Sequence, residues 1–99
     1  MDVLYYSPGA ASMVVHWLLI ELGTPYELRL VDTSTGAQKS PEYLALNPNG
    51  VVPTLILDGV PRIEAAAMLM TLADRDPQHR FAPAHDDPLR VDYHQWMFH

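Results

Sequence analysis

The groups best able to do chemistry in this chain are main-chain groups rather than a cluster of reactive side chains. In Asn47-Pro48-Asn49-Gly50-Val51-Val52-Pro53-Thr54-Leu55-Ile56-Leu57-Asp58-Gly59, followed by Arg62-Ile63-Glu64-Ala65, a turn leads into a Val-Pro step, a short hairpin follows, and a carboxylate stands at the mouth of an apolar helix. Proline has no N–H to give to a ladder, so Pro53 marks a bend into a strand, where a cis peptide bond is one option. Such a bend leaves the N–H and C=O of Val52 unpaired. They can then bind an extended, peptide-like ligand as a neighbouring strand would.

The rest of the composition narrows the choice of ligand. Ninety-nine residues make one domain. A net charge of −6, with six scattered basic residues, argues against nucleic acid or an anionic membrane surface and favours small molecules or proteins. Met1-Asp2-Val3-Leu4 lacks a basic leader, and the most apolar stretch, Met13 to Leu22, is too short to span a bilayer, so a cytoplasmic protein is expected. With no cysteine, any thiol chemistry must use a thiol brought by the substrate. His16 has no second ligand at metal-like spacing and the other histidines are scattered, so no metal site is expected.

The elements that must position these groups read off in order. Val3 to Tyr6 is a short buried strand stopped by Ser7-Pro8-Gly9, Ser12 to Leu22 is an apolar helix ended by Gly23, and Tyr26 to Leu30 alternates as a half-buried strand. Ser40-Pro41 caps and starts a short helix through Leu46. Asp58-Gly59 closes a tight antiparallel hairpin between Thr54–Leu57 and Val60–Ile63, and a helix runs from Ala65 to about Ala73. The expected fold is α/β, a thioredoxin-like βαβ-α-ββα domain with a mixed four-stranded sheet, its first unit a right-handed parallel crossover. The expected division is a domain over residues 1–77, a linker over 78–88, and over 89–99 the opening of a second, helical layer.

That second layer is expected from patterning. Neither long helix shows one apolar stripe and one charged face, and each large apolar side chain is worth roughly 1.5–3 kcal/mol on burial, so something besides the sheet should cover them. Asp86-Asp87-Pro88 reads as a helix start, with Leu89, Tyr93, Trp96 and Met97 at helical spacing behind it.

Four motifs together carry a family resemblance. Tyr5-Tyr6-Ser7-Pro8-Gly9-Ala10-Ala11-Ser12, Tyr43-Leu44-Ala45-Leu46-Asn47-Pro48-Asn49-Gly50, Val51-Val52-Pro53-Thr54-Leu55 and Ile63-Glu64-Ala65 resemble, in order, the landmarks of the N-terminal domain of cytosolic glutathione transferases, particularly bacterial beta-type sequences. The resemblance implies that Val52 pairs through its backbone with the cysteinyl part of glutathione, with Pro53 in cis, and that Glu64 and Ala65 hold the γ-glutamyl end. The N–H groups at the start of a helix and its dipole suit a carboxylate, and Glu64 suits an ammonium. It further implies glutathione as co-substrate, an electrophilic small molecule as second substrate, and a homodimer.

The departures are specific. Ala11 stands where beta-type sequences usually have cysteine, Ala65 where many relatives have serine, and no basic residue aligns clearly for the glycyl carboxylate. Ser12 and Tyr6 are the candidates for holding the substrate thiol as thiolate, with Ser12 preferred. Lowering a thiol from about 8.5 by two units takes roughly 2.7 kcal/mol. A charge-assisted hydrogen bond of ~1.5–3 kcal/mol with a dipole contribution of ~0.3–1 kcal/mol supplies that. Against this, Ser12 can be read simply as a helix cap, and one of Tyr5 and Tyr6 as core. The competing functions are a transferase, a non-catalytic thioredoxin-like binding module, and an inactive fragment.

Overall fold

β-Branched, aromatic and leucine side chains at alternating positions pull Asp2–Tyr6 (β1) to the middle of a four-stranded sheet of order β2-β1-β3-β4. In the computed structural model, which describes all residues from Met1 to His99, β1 pairs parallel with β2 (Tyr26–Leu30), Leu4 opposite Leu28. On its other side β1 runs antiparallel to β3 (Thr54–Leu57), Leu4 opposite Leu55. The β3–β4 hairpin (β4, Val60–Arg62) turns through Asp58 and Gly59 with φ of 51° and 78°, the left-handed pair that the Asp-Gly sequence favours.

The parallel β1–β2 pair requires a crossover, which is helix α1 (Ser12–Leu22), ended by Gly23 at φ 70°. Helix α3 (Ala65–Asp74) lies beside α1 on the same face of the sheet. Between helices and sheet sits one core of Leu4, Val15, Leu19, Leu55, Leu57, Met68 and Leu72. The short helix α2 (Pro41–Leu46) covers the opposite face, where the Tyr43 ring tilts against Tyr5 at 5.8 Å. Tyr5 and Tyr6 therefore part to opposite sides of β1, Tyr6 against the core. This is the expected thioredoxin-like arrangement.

The outward face of α1 is bare: Met13, Val14, Trp17 and Ile20 are all exposed, Trp17 at 65%. Helix α3 differs from the expectation, because its outward positions, Ala67, Thr71 and Asp74, are small or polar. No helix is long and apolar enough to cross a membrane.

Helix α4 (Arg90–Met97) is tied back to the domain rather than free. Arg90, only 8% exposed, grips Asp74 with two bonds of 2.9 Å, donates to the Pro83 carbonyl, and reaches His94 through Nε. The turn before it is set by Asp76, whose carboxylate accepts from the Gln78 and Arg80 N–H groups and from Arg80 Nε.

The hydrogen bonds from Arg90 hold the Asp74 carboxyl below the usual carboxylate range. A folded-state pKa below the unfolded one stabilises the fold fully above the unfolded value of about 3.9. That contribution is lost as pH falls through the lowered value. Asp74→Asn should cost about 1–3 kcal/mol near neutrality by denaturant melts. The difference from the unaltered chain should shrink towards zero once the medium is acid enough to protonate Asp74.

Candidate functional site

The site begins at α2. Ser40 caps it by accepting the Tyr43 N–H at 3.2 Å, Pro41 sits in the first turn, and the helix stops at Asn47, whose side chain accepts the Asn49 N–H at 3.0 Å. Gly50 completes the turn, donating to the Asn47 carbonyl at 2.9 Å with φ 63°. A Cβ at Gly50 would lie 2.7 Å from Lys39 Nζ and 3.1 Å from the Gln38 carbonyl, so a side chain here would displace Lys39 and crowd Gln38 in addition to the strain of the positive φ.

The next four residues hold the unpaired main-chain groups. The Val51 carbonyl accepts from Tyr43 Oη at 2.6 Å and Asn47 Nδ2 at 3.0 Å. Thr54 Oγ1 meets the same two side chains, at 2.6 Å from Tyr43 Oη and 3.1 Å from Asn47 Nδ2. Between these anchors the Val52–Pro53 peptide is cis, and neither the N–H nor the C=O of Val52 has a hydrogen-bond partner in the chain. β3 starts only at Thr54, so the ladder does not consume them.

Facing this segment is the start of α3. Met68 N–H is the first in the helix to find a carbonyl, that of Glu64 at 3.1 Å, so the N–H groups of Ala65, Ala66 and Ala67 point out of the helix start without partners. Glu64 stands at the N-cap with φ 73° and ψ 108°, exposed, its carboxylate making no hydrogen bond or ion pair. For a residue with a Cβ such a backbone costs about 1–3 kcal/mol and persists only where its surroundings impose it. A hollow of about 180 Å³ joins the two halves, lined by Val51, Val52 and Pro53 on one side, Ile63, Glu64 and Ala65 on the other, and Ala11, Asn47 and Asn49 around the rim.

Of the sequence-derived site residues, Val52, Pro53, Glu64 and Ala65 thus surround one hollow. Ser12 and Tyr6 do not line it. Ser12 is 1% exposed, and its Oγ donates to the Ser7 carbonyl and accepts the Ser7 N–H, both at 3.1 Å. It clasps the β1–α1 turn rather than capping α1, whose N-cap is Ala11 with no side-chain bond. Tyr6 packs on the core with its ring 6.4 Å from that of His16. What does reach the hollow from α1 is Ala11, and the N–H groups of Ala11 and Ser12 have no partner in the chain.

Sequence reasoning missed two contributions. Lys39 brings its ammonium to the rim, 3.3 Å from the Asn49 carbonyl. Tyr43 and Asn47, four apart on a helix, share a face, and two polar side chains on the buried face of a short helix were the available signal.

A larger groove of about 380 Å³ lies between the hairpin and α3, with Arg62 and Arg75 at its edge. Arg75 is committed to Asp2 at 2.9 Å.

Fold and site together define a thioredoxin-like binding domain that offers unpaired strand groups beside a helix start. Residues 10–75 match the family model for the glutathione S-transferase N-terminal domain, and the chain belongs to that family. It is 37% identical over 94 residues to the glutathione S-transferase GST-4.5 of Xanthomonas campestris, covering 95% of this chain and 45% of that protein. To the glutathione S-transferase GstA of Escherichia coli O157:H7 it is 33% identical, over 95% of this chain and 48% of that one. A glutathione transferase homologue from Sulfitobacter, solved with bound glutathione, superposes with a TM-score of 0.89 at 34% identity, covering 99% of this chain and 47% of that chain. The chain therefore spans about half the length of these relatives.

Glycine, with no Cβ, adopts the Glu64 backbone at lower cost than any other residue. Glu64→Gly should raise stability by about 1 kcal/mol, whereas Glu64→Ala should not, as read by denaturant melts of the two variants side by side.

Proposed function

We propose that this chain is the glutathione-binding part of a glutathione transferase that presents the glutathione thiol, as thiolate, to an electrophilic small molecule. The observation that carries the reading is the pair of unpaired Val52 groups facing the open helix start at Ala65 across one hollow. Glutathione is a short peptide with a carboxylate and an ammonium at one end, a thiol in the middle and a second carboxylate at the other. Val52 pairs with its cysteinyl unit as a neighbouring strand would. The N–H groups of Ala65 to Ala67 and the α3 dipole receive the γ-glutamyl carboxylate, and Glu64 its ammonium. Lys39, the basic residue at the rim, takes the glycyl carboxylate.

In this pose the thiol lies towards Ala11. Deprotonation is favoured by the free N–H groups of Ala11 and Ser12 at the positive end of α1, with Ser12 Oγ and Tyr6 as side-chain candidates behind them. The thiolate then attacks the electrophile and the leaving group departs. We assign residues 1–77 to the glutathione-binding domain, 78–88 to the linker and 89–99 to the opening of a helical domain, with the electrophile held by the remainder of the protein. A cytoplasmic homodimer acting in detoxification completes the reading.

One observation favours a second reading. Ala11 faces the hollow with no reactive atom, and Ser7 already uses the Ser12 hydroxyl, features that suit a module that binds glutathione without turning it over.

Calorimetry and conjugation assays separate the readings. The first expects glutathione to bind at one site per chain, with conjugation of an aryl halide by the protein carrying its helical half, and Ser12→Ala and Tyr6→Phe lowering the rate. Binding without turnover selects the second, and a folded chain that does not bind glutathione overturns both. Unchanged rates in both variants would leave activation to the α1 N–H groups alone.

A further inference from the structure

We infer that the Tyr43 hydroxyl is a positioning residue for the glutathione site, fixing the Val52–Pro53 segment by tying down the residues immediately before and after it. The inference rests on the reading of the site given above and adds a residue to it. Tyr43 is absent from the lining of the hollow, so any effect it has on the ligand passes through Val51 and Thr54.

The hydrogen-bond directions close into a consistent knot. Tyr43 Oη donates to the Val51 carbonyl, so its 2.6 Å contact with Thr54 requires the threonine hydroxyl to donate to Tyr43. Thr54 Oγ1 in turn accepts from Asn47 Nδ2. Tyr43, Asn47 and Thr54 are all buried, with Thr54 at 0% exposure, so water does not compete for these bonds. Burial also raises the Tyr43 hydroxyl above the ordinary tyrosine range, which keeps it a donor across the physiological pH span.

The knot matters because Val52 has no bonds of its own. A free peptide segment binds a strand-like ligand well only if its N–H and C=O are already held in the strand direction; otherwise ordering them on binding subtracts from affinity. Val51 and Thr54 are the only attachment points adjacent to the segment, and Tyr43 is bonded to both. Its ring is separately held against Tyr5, so removing the hydroxyl leaves the packing intact. Asn47 still bonds Val51 and Thr54 in that variant, so the turn keeps those two ties and loses the two made by Tyr43.

Glutathione and γ-glutamyl methylamide, which reaches only the Glu64–Ala65 end, test this when titrated against the unaltered chain, Tyr43→Phe and Thr54→Val. In both variants the Kd for glutathione should rise about three- to tenfold, while that for γ-glutamyl methylamide stays the same. Thr54→Val removes the Tyr43–Thr54 bond from its other side, with the Asn47–Thr54 bond, while Tyr43 keeps Val51; should Tyr43→Phe fail to fold, it tests the tie on the Thr54 side of the segment. A folded variant that binds glutathione as tightly as the unaltered chain overturns the inference. Equal weakening of both ligands also overturns it, because that marks a general structural effect. Failure of the unaltered chain to bind glutathione overturns instead the reading of the site, and the positioning role falls with it.

Discussion

The site depends on one constraint: a main-chain N–H and C=O must be either paired within the protein or kept open to a ligand, and at Val52 they are kept open. A bare peptide at the start of a strand would ordinarily be absorbed by the ladder. Here β3 begins two residues later, and the carbonyl and hydroxyl on either side are taken by Tyr43 and Asn47, so nothing in the chain competes for Val52. Helix α2 covers the second face of the sheet and, through these two side chains, also holds the recognition segment.

A second open group lies opposite. The first turn of α3 leaves its N–H groups free, and Glu64 occupies a backbone conformation that a side chain disfavours. In a chain with net charge −6 this helix start and Lys39 are local exceptions to the overall sign: the helix start lines the hollow, and Lys39 reaches the carbonyl of Asn49 at its rim. A ligand that is zwitterionic at one end, anionic at the other and peptide-like between is the one proposed for this hollow.

Much of this was legible in the sequence because the signals are local. Asp58-Gly59 dictates a tight hairpin, Ser40-Pro41 a helix start, and Pro53 the break in the ladder that exposes Val52. What escaped was set by contacts between distant residues. The bond from Ser12 to Ser7 spans five positions of irregular backbone, so the sequence offered Ser12 as a thiol-activating hydroxyl or as a cap without showing that its hydroxyl bonds Ser7. Lys39 reaches the rim only because two 3-10 turns at Thr33–Thr35 and Ala37–Lys39 fold it over Gly50. The tie between Arg90 and Asp74 crosses sixteen positions and has no sequence signature. The apolar patterning of α1 led to the expectation of a second covering layer, and its outward side chains are exposed in this chain, while α3, equally apolar on paper, presents small or polar groups outward.

The central claim, that Val52 offers unsatisfied strand groups to a peptide ligand, is tested most directly by amide hydrogen exchange resolved at Val52, with and without glutathione. The account predicts rapid exchange at Val52 in the free chain while Leu55 in the ladder is protected, and slowing at Val52 when glutathione is added. A Val52 amide already protected in the free chain, or one whose exchange ignores saturating glutathione, would contradict it.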